Sequence, residues 1–110
     1  GDGQQTRSFQ YVADLIHGLH LLLMSDYHEP VNIGNPHEMT ILEFAEAVQE
    51  VSGSSSGIVM KPQDRIAGDP QVRRPDITRA QQVLGWQPKV ALADGLKLTI
   101  DYFRNHIHGQ

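Results

Sequence analysis

Val31-Asn32-Ile33-Gly34-Asn35-Pro36-His37-Glu38-Met39-Thr40-Ile41-Leu42-Glu43-Phe44-Ala45 is the stretch where the chain changes period. Val31 to Gly34 is short, β-branched and bounded by Pro30 and by Asn35-Pro36, which predicts a strand. Thr40-Ile41-Leu42-Glu43 then reads as a capping box, in which hydroxyl and carboxylate each satisfy an orphan backbone donor. Behind it Ile41, Phe44, Ala45, Val48 and Val51 keep helical spacing, and Gly53 supplies a left-handed stop. A strand feeding a capped amphipathic helix places the chain in the α/β class.

Upstream, Arg7-Ser8-Phe9-Gln10-Tyr11-Val12 alternates polar and apolar, as a short strand or extended segment does. From Val12 to Met24 a helix is expected, with Val12, Leu15, Ile16, Leu19, Leu22 and Leu23 on one face and Asp14 in its first turn. Leu21 and Met24 widen that face beyond what one packed layer needs, so the helix reads as packed between two layers. Downstream, Ile58-Val59-Met60 predicts another short strand, and residues 62–75 form an aperiodic, charge-bearing loop. Asp76 is expected to cap a short helix ending at Leu84-Gly85. Trp86-Gln87-Pro88 follows, and a last helix spans Leu92 to Ile107 with Leu92, Leu96, Ile100, Phe103 and Ile107 inward. The expectation is one α/β domain over residues 1–110, with about four helices and two or three short strands.

At 110 residues the chain is long enough to bury a core without staples. It has no cysteine, which excludes disulfide scaffolds, thiolate zinc sites and cysteine nucleophiles and fits a reducing, cytoplasmic setting. A net charge of −4 argues against nucleic acid or anionic lipid as partner, and no apolar run reaches the length of a membrane span. The opening Gly1-Asp2-Gly3 reads as the interior of a longer protein. Four of the six arginines, Arg65, Arg73, Arg74 and Arg79, crowd one short stretch.

Arg7, beside Gln5-Thr6 and a glycine turn, suits a phosphate or carboxylate; the competing reading is a solvated strand-edge arginine. Arg73 and Arg74 project to opposite sides of an extended chain, so one can face a ligand while Pro75 stiffens the exit. Arg7 and Arg73 together would suit a diphosphate; the competing reading is a surface charge pair. His17 and His20 lie three apart and His106 and His108 two apart, but no further ligand has metal-site spacing. Asp101 and Glu43 fall on solvated helix faces. The chain has no GxGxxG or GxxxxGK[ST] loop, and none of Tyr11, Tyr27 and Tyr102 is followed four residues later by lysine.

Gly1-Asp2-Gly3-Gln4-Gln5-Thr6-Arg7-Ser8-Phe9-Gln10-Tyr11-Val12-Ala13-Asp14-Leu15 resembles the segment after the nucleotide-binding core of extended short-chain dehydrogenases/reductases acting on nucleotide sugars. Pro30-Val31-Asn32-Ile33-Gly34-Asn35-Pro36, Thr40-Ile41-Leu42-Glu43-Phe44-Ala45, Arg73-Arg74-Pro75-Asp76-Ile77 and Leu84-Gly85-Trp86-Gln87-Pro88 continue the resemblance in order. Within that family the pattern looks most like the UDP-glucuronate decarboxylases, or UDP-xylose synthases; epimerases and 4,6-dehydratases are the neighbouring alternatives. The resemblance implies oxidation of the sugar C4 by bound NAD, loss of the carboxylate as CO2, and reduction of the ketone to UDP-xylose. It implies that this chain is the C-terminal, substrate-binding part, without the Rossmann core that holds the cofactor, and inactive by itself. Arg7 would then contact the sugar or diphosphate and is the one catalytic candidate. Gln5 would approach the nucleotide, Tyr11 would line the same pocket and Arg73 would hold the diphosphate. A UDP-sugar is the implied ligand, and a homo-oligomer or domain-swapped dimer would hide the over-rich face of the first helix. A stand-alone nucleotide-sugar-binding or protein-interaction module is the non-enzymatic alternative.

Overall fold

Six short elements follow in chain order: β1 (Thr6–Arg7), α1 (Val12–Leu23), β2 (Met39–Thr40), α2 (Ile41–Ser52), a π-helical turn α3 (Ala80–Leu84) and α4 (Leu92–His108). The computed structural model describes residues 1–61 and 70–108. Part of the aperiodic loop, residues 62–69 with Asp64, Arg65 and Asp69, lies outside the described residues. β1 and β2 pair antiparallel, Thr6 opposite Thr40 and Arg7 opposite Met39.

The start of α2 is satisfied donor by donor. Thr40 Oγ1 accepts from the Glu43 N–H at 3.1 Å, while Glu43 Oε1 accepts from the Thr40 N–H at 2.9 Å. The two N–H groups between them reach outside the helix, Ile41 to the Gln5 carbonyl at 2.9 Å and Leu42 to the Gly3 carbonyl at 3.0 Å. Orphan helix donors are therefore met by the segment leading into β1. Gly3 adopts φ +75°, and a side chain there would crowd Leu42 Cβ at 3.0 Å. At the other end Gly53, at φ 69°, closes the helix as expected.

The buried centre is small. Ile77, Ala80 and Trp86 form it, with Leu21, Val31, Ile33 and Leu84 packed around them. Trp86 is only 1% exposed, and its Nε1–H donates to the Asp14 backbone carbonyl at 3.0 Å. The Asp14 carboxylate accepts from the N–H groups of Lys89 and Val90 at 3.1 and 3.0 Å. A buried carboxylate thus has its partners, and it ties the first turn of α1 to the approach to α4.

Two expected strands are corrected. Residues 31–34 and 58–60 join no ladder among the described residues; both run in extended or irregular chain. β-propensity reports fit to a half-buried surface, and Val31 and Ile33 have that surface against Trp86 without a neighbouring strand. Met39–Thr40 is a strand because Thr6–Arg7 lies beside it, a non-local fact that propensity does not carry.

The packed face of α1 is also not the predicted one. Asp14 and Gly18 are buried and Leu21 packs on the core, while the apolar stripe faces outward. Leu19 is 48% exposed, Ile16 57%, Val12 58% and Leu23 79%. On α4, Leu92, Leu96 and Ile100 are half-buried, whereas Phe103 and Ile107 are exposed. The chain is a slab of 48 × 40 × 21 Å with a radius of gyration of 16.6 Å, against about 13 Å for a compact domain of this length. Its accessible surface of 8090 Å² is about a third above the roughly 6,100 Å² typical of a monomer of this mass.

Two outcomes follow from these contacts. A Cβ on Gly18 would lie 2.7 Å from Ile33 Cγ2 and 3.2 Å from Trp86 Nε1. Gly18→Ala should therefore destabilise the fold by about 1–3 kcal/mol in urea titration, although the same change on an open helix face stabilises by about 1 kcal/mol. The backbone N–H of Thr40, then its hydroxyl, hold the Glu43 carboxyl below its ordinary value of 4.5. A lowered native value means stabilisation that is full above pH 4.5 and lost as pH falls through the native value. The stability gap between Glu43→Gln and the parent should thus be widest at neutral pH and close in acid, read by denaturation at several pH values.

Candidate functional site

Three segments converge where the sequence placed its candidates. The first is residues 5–11. Thr6 N–H donates to the Gln71 carbonyl at 2.8 Å, and Gln5 Nε2 donates to the Pro70 carbonyl at 3.0 Å. The chain leading into Arg73-Arg74-Pro75 therefore runs along the edge of β1 that β2 leaves open. Arg7 is half-buried, and its Nη1 donates to the Thr6 carbonyl at 2.5 Å. Tyr11 is half-buried at the N-cap of α1, against the backbone of Gly95, where a side chain would meet Tyr11 Cβ at 3.2 Å.

The second segment is residues 72–78. Arg73 and Arg74 are both exposed. Arg74 lines an open groove with Asn35, His37, Glu38, Gln81 and Gln87 over a floor that includes Ile77; Arg73 is not part of that lining. Asp76 Oδ1 accepts from the Thr78 hydroxyl at 2.6 Å and the Thr78 N–H at 2.9 Å. These two bonds, hydroxyl first, hold its carboxyl below the usual value, and the Arg74 charge lowers it further. Asp76 closes a turn with Thr78 rather than capping the helix as expected: the chain widens into the π-helical α3, whose N-cap Arg79 has no side-chain cap bond, before Gly85, at φ 63°, ends it.

The third segment, residues 34–37, was legible only as a turn. Asn35 Nδ2 donates to the Phe9 carbonyl at 3.1 Å, midway between Arg7 and Tyr11. Asn35 Oδ1 accepts from the His37 N–H at 3.0 Å. A Cβ on Gly34 would stand 3.0 Å from Pro75 Cγ. Phe9 itself stacks on Phe44 of α2, with ring centroids 3.7 Å apart. The structure thus brings Gln5, Arg7 and Arg73 onto adjoining segments and sets Tyr11 at the end of the first of them. Asn35 and Asp14 are organising residues that sequence reasoning missed. The signal for Asn35 was an amide next to proline; the signal for Asp14 was a carboxylate on an otherwise apolar helix.

Among the described residues, no three histidine, aspartate or glutamate side chains gather as a metal site would require. No described helix is long and apolar enough to cross a membrane. The arrangement offers guanidinium and amide donors on two neighbouring segments, which suits binding an anion with planar oxygens.

The family model described as GDP-mannose 4,6 dehydratase matches residues 1–99. UDP-glucuronic acid decarboxylase 1 of Arabidopsis thaliana is 50% identical over 107 residues, covering 97% of this chain and 24% of the plant protein. The chain therefore spans about a quarter of the length of that curated relative. UDP-glucose 4-epimerase of Thermotoga maritima, solved with UDP-glucose, superposes with a TM-score of 0.88 at 36% identity, over 97% of this chain and 34% of the epimerase. UDP-glucuronic acid 4-epimerase of Bacillus cereus, solved in complex with NAD, gives 0.82 at 31% identity, over 100% of this chain and 34% of that one. The match runs through all three convergent segments, and the chain belongs to the GDP-mannose 4,6 dehydratase family, among the extended short-chain dehydrogenases acting on nucleotide sugars.

Proposed function

We propose that this chain is the substrate-binding, C-terminal part of an NAD-dependent UDP-glucuronate decarboxylase, gripping the diphosphate of UDP-glucuronate between Arg7 and Arg73. The observation that carries the reading is the pair of bonds from Thr6 and Gln5 to residues 71 and 70, which sets the two arginine-bearing segments side by side. The half-identical plant decarboxylase supports the choice of reaction. Gln5 would lie toward the nucleotide and Tyr11 toward the sugar. Arg7 would orient the reacting sugar and is the one residue here suited to act on it directly.

Conversion of UDP-glucuronate to UDP-xylose and CO2 asks two things of this part: a hold on the diphosphate and a fixed sugar orientation. It does not ask these residues to hold NAD. The chain has neither a glycine-rich phosphate loop nor a Tyr-x-x-x-Lys pair, so the dinucleotide does not fit here and its chemistry belongs to other residues of the complete protein. The same binding role in a UDP-sugar 4-epimerase is the second reading, favoured by the solved epimerase that holds UDP-glucose.

The outward stripe Val12, Ile16, Leu19 and Leu23 exceeds what monomers usually leave bare. In the complete protein another layer would cover it; in the 110 residues alone a second copy would. The isolated chain should therefore self-associate in light scattering and release no CO2 from UDP-glucuronate with added NAD. A clean monomer at high concentration would overturn the first expectation, and turnover abolished by Arg7→Ala the second.

Charge-assisted contacts to a diphosphate are worth about 1.5–3 kcal/mol each. In the complete protein, Arg73→Ala and Arg7→Ala should each weaken UDP binding by roughly ten- to a hundredfold in calorimetry, with rising salt narrowing the gap to the parent. Arg73→Lys should recover part of the loss, since a point charge cannot grip two oxygens in a plane. Arg74→Ala should do much less, because Arg74 lines the groove beside Asp76. If Arg74→Ala is the damaging change, the assignment within the pair is reversed.

A further inference from the structure

The geometry points to Asn35 as the positioning residue of the UDP grip, acting through Arg7 rather than on the ligand. This rests on the diphosphate reading above. Three observations lead to it. Asn35 uses its donor on the Phe9 carbonyl, two residues after Arg7 and two before Tyr11. It uses its acceptor on the His37 N–H, which fixes the orientation of the amide. A side chain on its neighbour Gly34 would press on the Pro75 ring at 3.0 Å, two residues after Arg73. One short turn therefore touches both arginine-bearing segments, through a side-chain bond at one end and the Pro75 ring at the other.

The chemistry of the amide suits this role. Two polymer segments that must present cations to one diphosphate need their separation held within a fraction of an ångström. The side chain commits one amide N–H and its oxygen to backbone, so it holds the segment through two fixed bonds. Phe9 is the right place to hold, because its ring is already stacked on Phe44 of α2 and its carbonyl is the free end of that anchor. With the tether cut, residues 7–11 keep their ring anchor but lose the constraint that faces Pro75.

The test is a double-mutant cycle on UDP affinity in the complete protein, by calorimetry well below the melting temperature of each variant. Asn35→Ala should weaken UDP binding about five- to twentyfold in the parent background and less than about twofold when Arg7 is already alanine. A merely structural role would lower the melting temperature and give the same loss of affinity in both backgrounds. That outcome, or unchanged UDP affinity, overturns the proposal. If Asn35→Ala does not fold, Gly34→Ala replaces it, paired with Arg73→Ala. Its side chain must displace Pro75, so its effect should likewise vanish once Arg73 is gone, and an undiminished effect overturns the proposal. Silence of Arg7→Ala and Arg73→Ala alone is a different result: it removes the diphosphate reading itself.

Discussion

Everything in this slab hangs from the contact between Trp86 and the first turn of α1. The indole N–H takes the Asp14 carbonyl and the Asp14 carboxylate takes two backbone donors at Lys89 and Val90. A carboxylate removed from water this fully is stable only with its lone pairs occupied, and here the occupants come from a segment more than seventy residues away. Among the described residues, only Ile77 and Ala80 join Trp86 as buried apolar partners. With so small a core, one satisfied polar junction fixes the register between α1 and the chain that carries α4. Gly18 belongs to the same junction, since only a missing side chain lets α1 approach Ile33 and Trp86.

What was legible in the sequence was whatever depends on neighbours in the chain. The bounds of α2 follow from Thr40, Glu43 and Gly53, each acting within a turn of itself, and the structure places all three as read. The turn at Asp76–Thr78 and the stop at Gly85 are local in the same sense. The strands failed because pairing is a relation between segments. Val31 to Gly34 has the composition of a strand and no ladder partner among the described residues, whereas Thr6–Arg7 and Met39–Thr40 pair with unremarkable compositions. The apolar stripe on α1 is not the face this core takes: that face is Asp14, Gly18 and Leu21, and the stripe stays exposed.

The candidate site divides along the same line. Arg7 and the Arg73-Arg74 pair stood out by charge and by the turns around them. Their adjacency arises from two backbone-directed hydrogen bonds across more than sixty residues. Asn35 carried only the mark of a turn, because an asparagine before proline is as common in plain loops as in anchoring ones. Under the proposed reading, that set of loops would be one wall of a binding face, which the flat shape and surplus surface suit.

The first turn of α2 has a consequence for how the molecule reports on itself. Its Ile41 and Leu42 amides are bonded to Gln5 and Gly3 rather than within the helix. Their protection from solvent deuterium therefore measures the docking of the chain that leads to Arg7, not the integrity of α2. Amides deeper in α2 measure the helix. The two sets differ by a few positions in sequence, so a single exchange spectrum separates loosening of the edge that carries Arg7 from melting of the scaffold behind it.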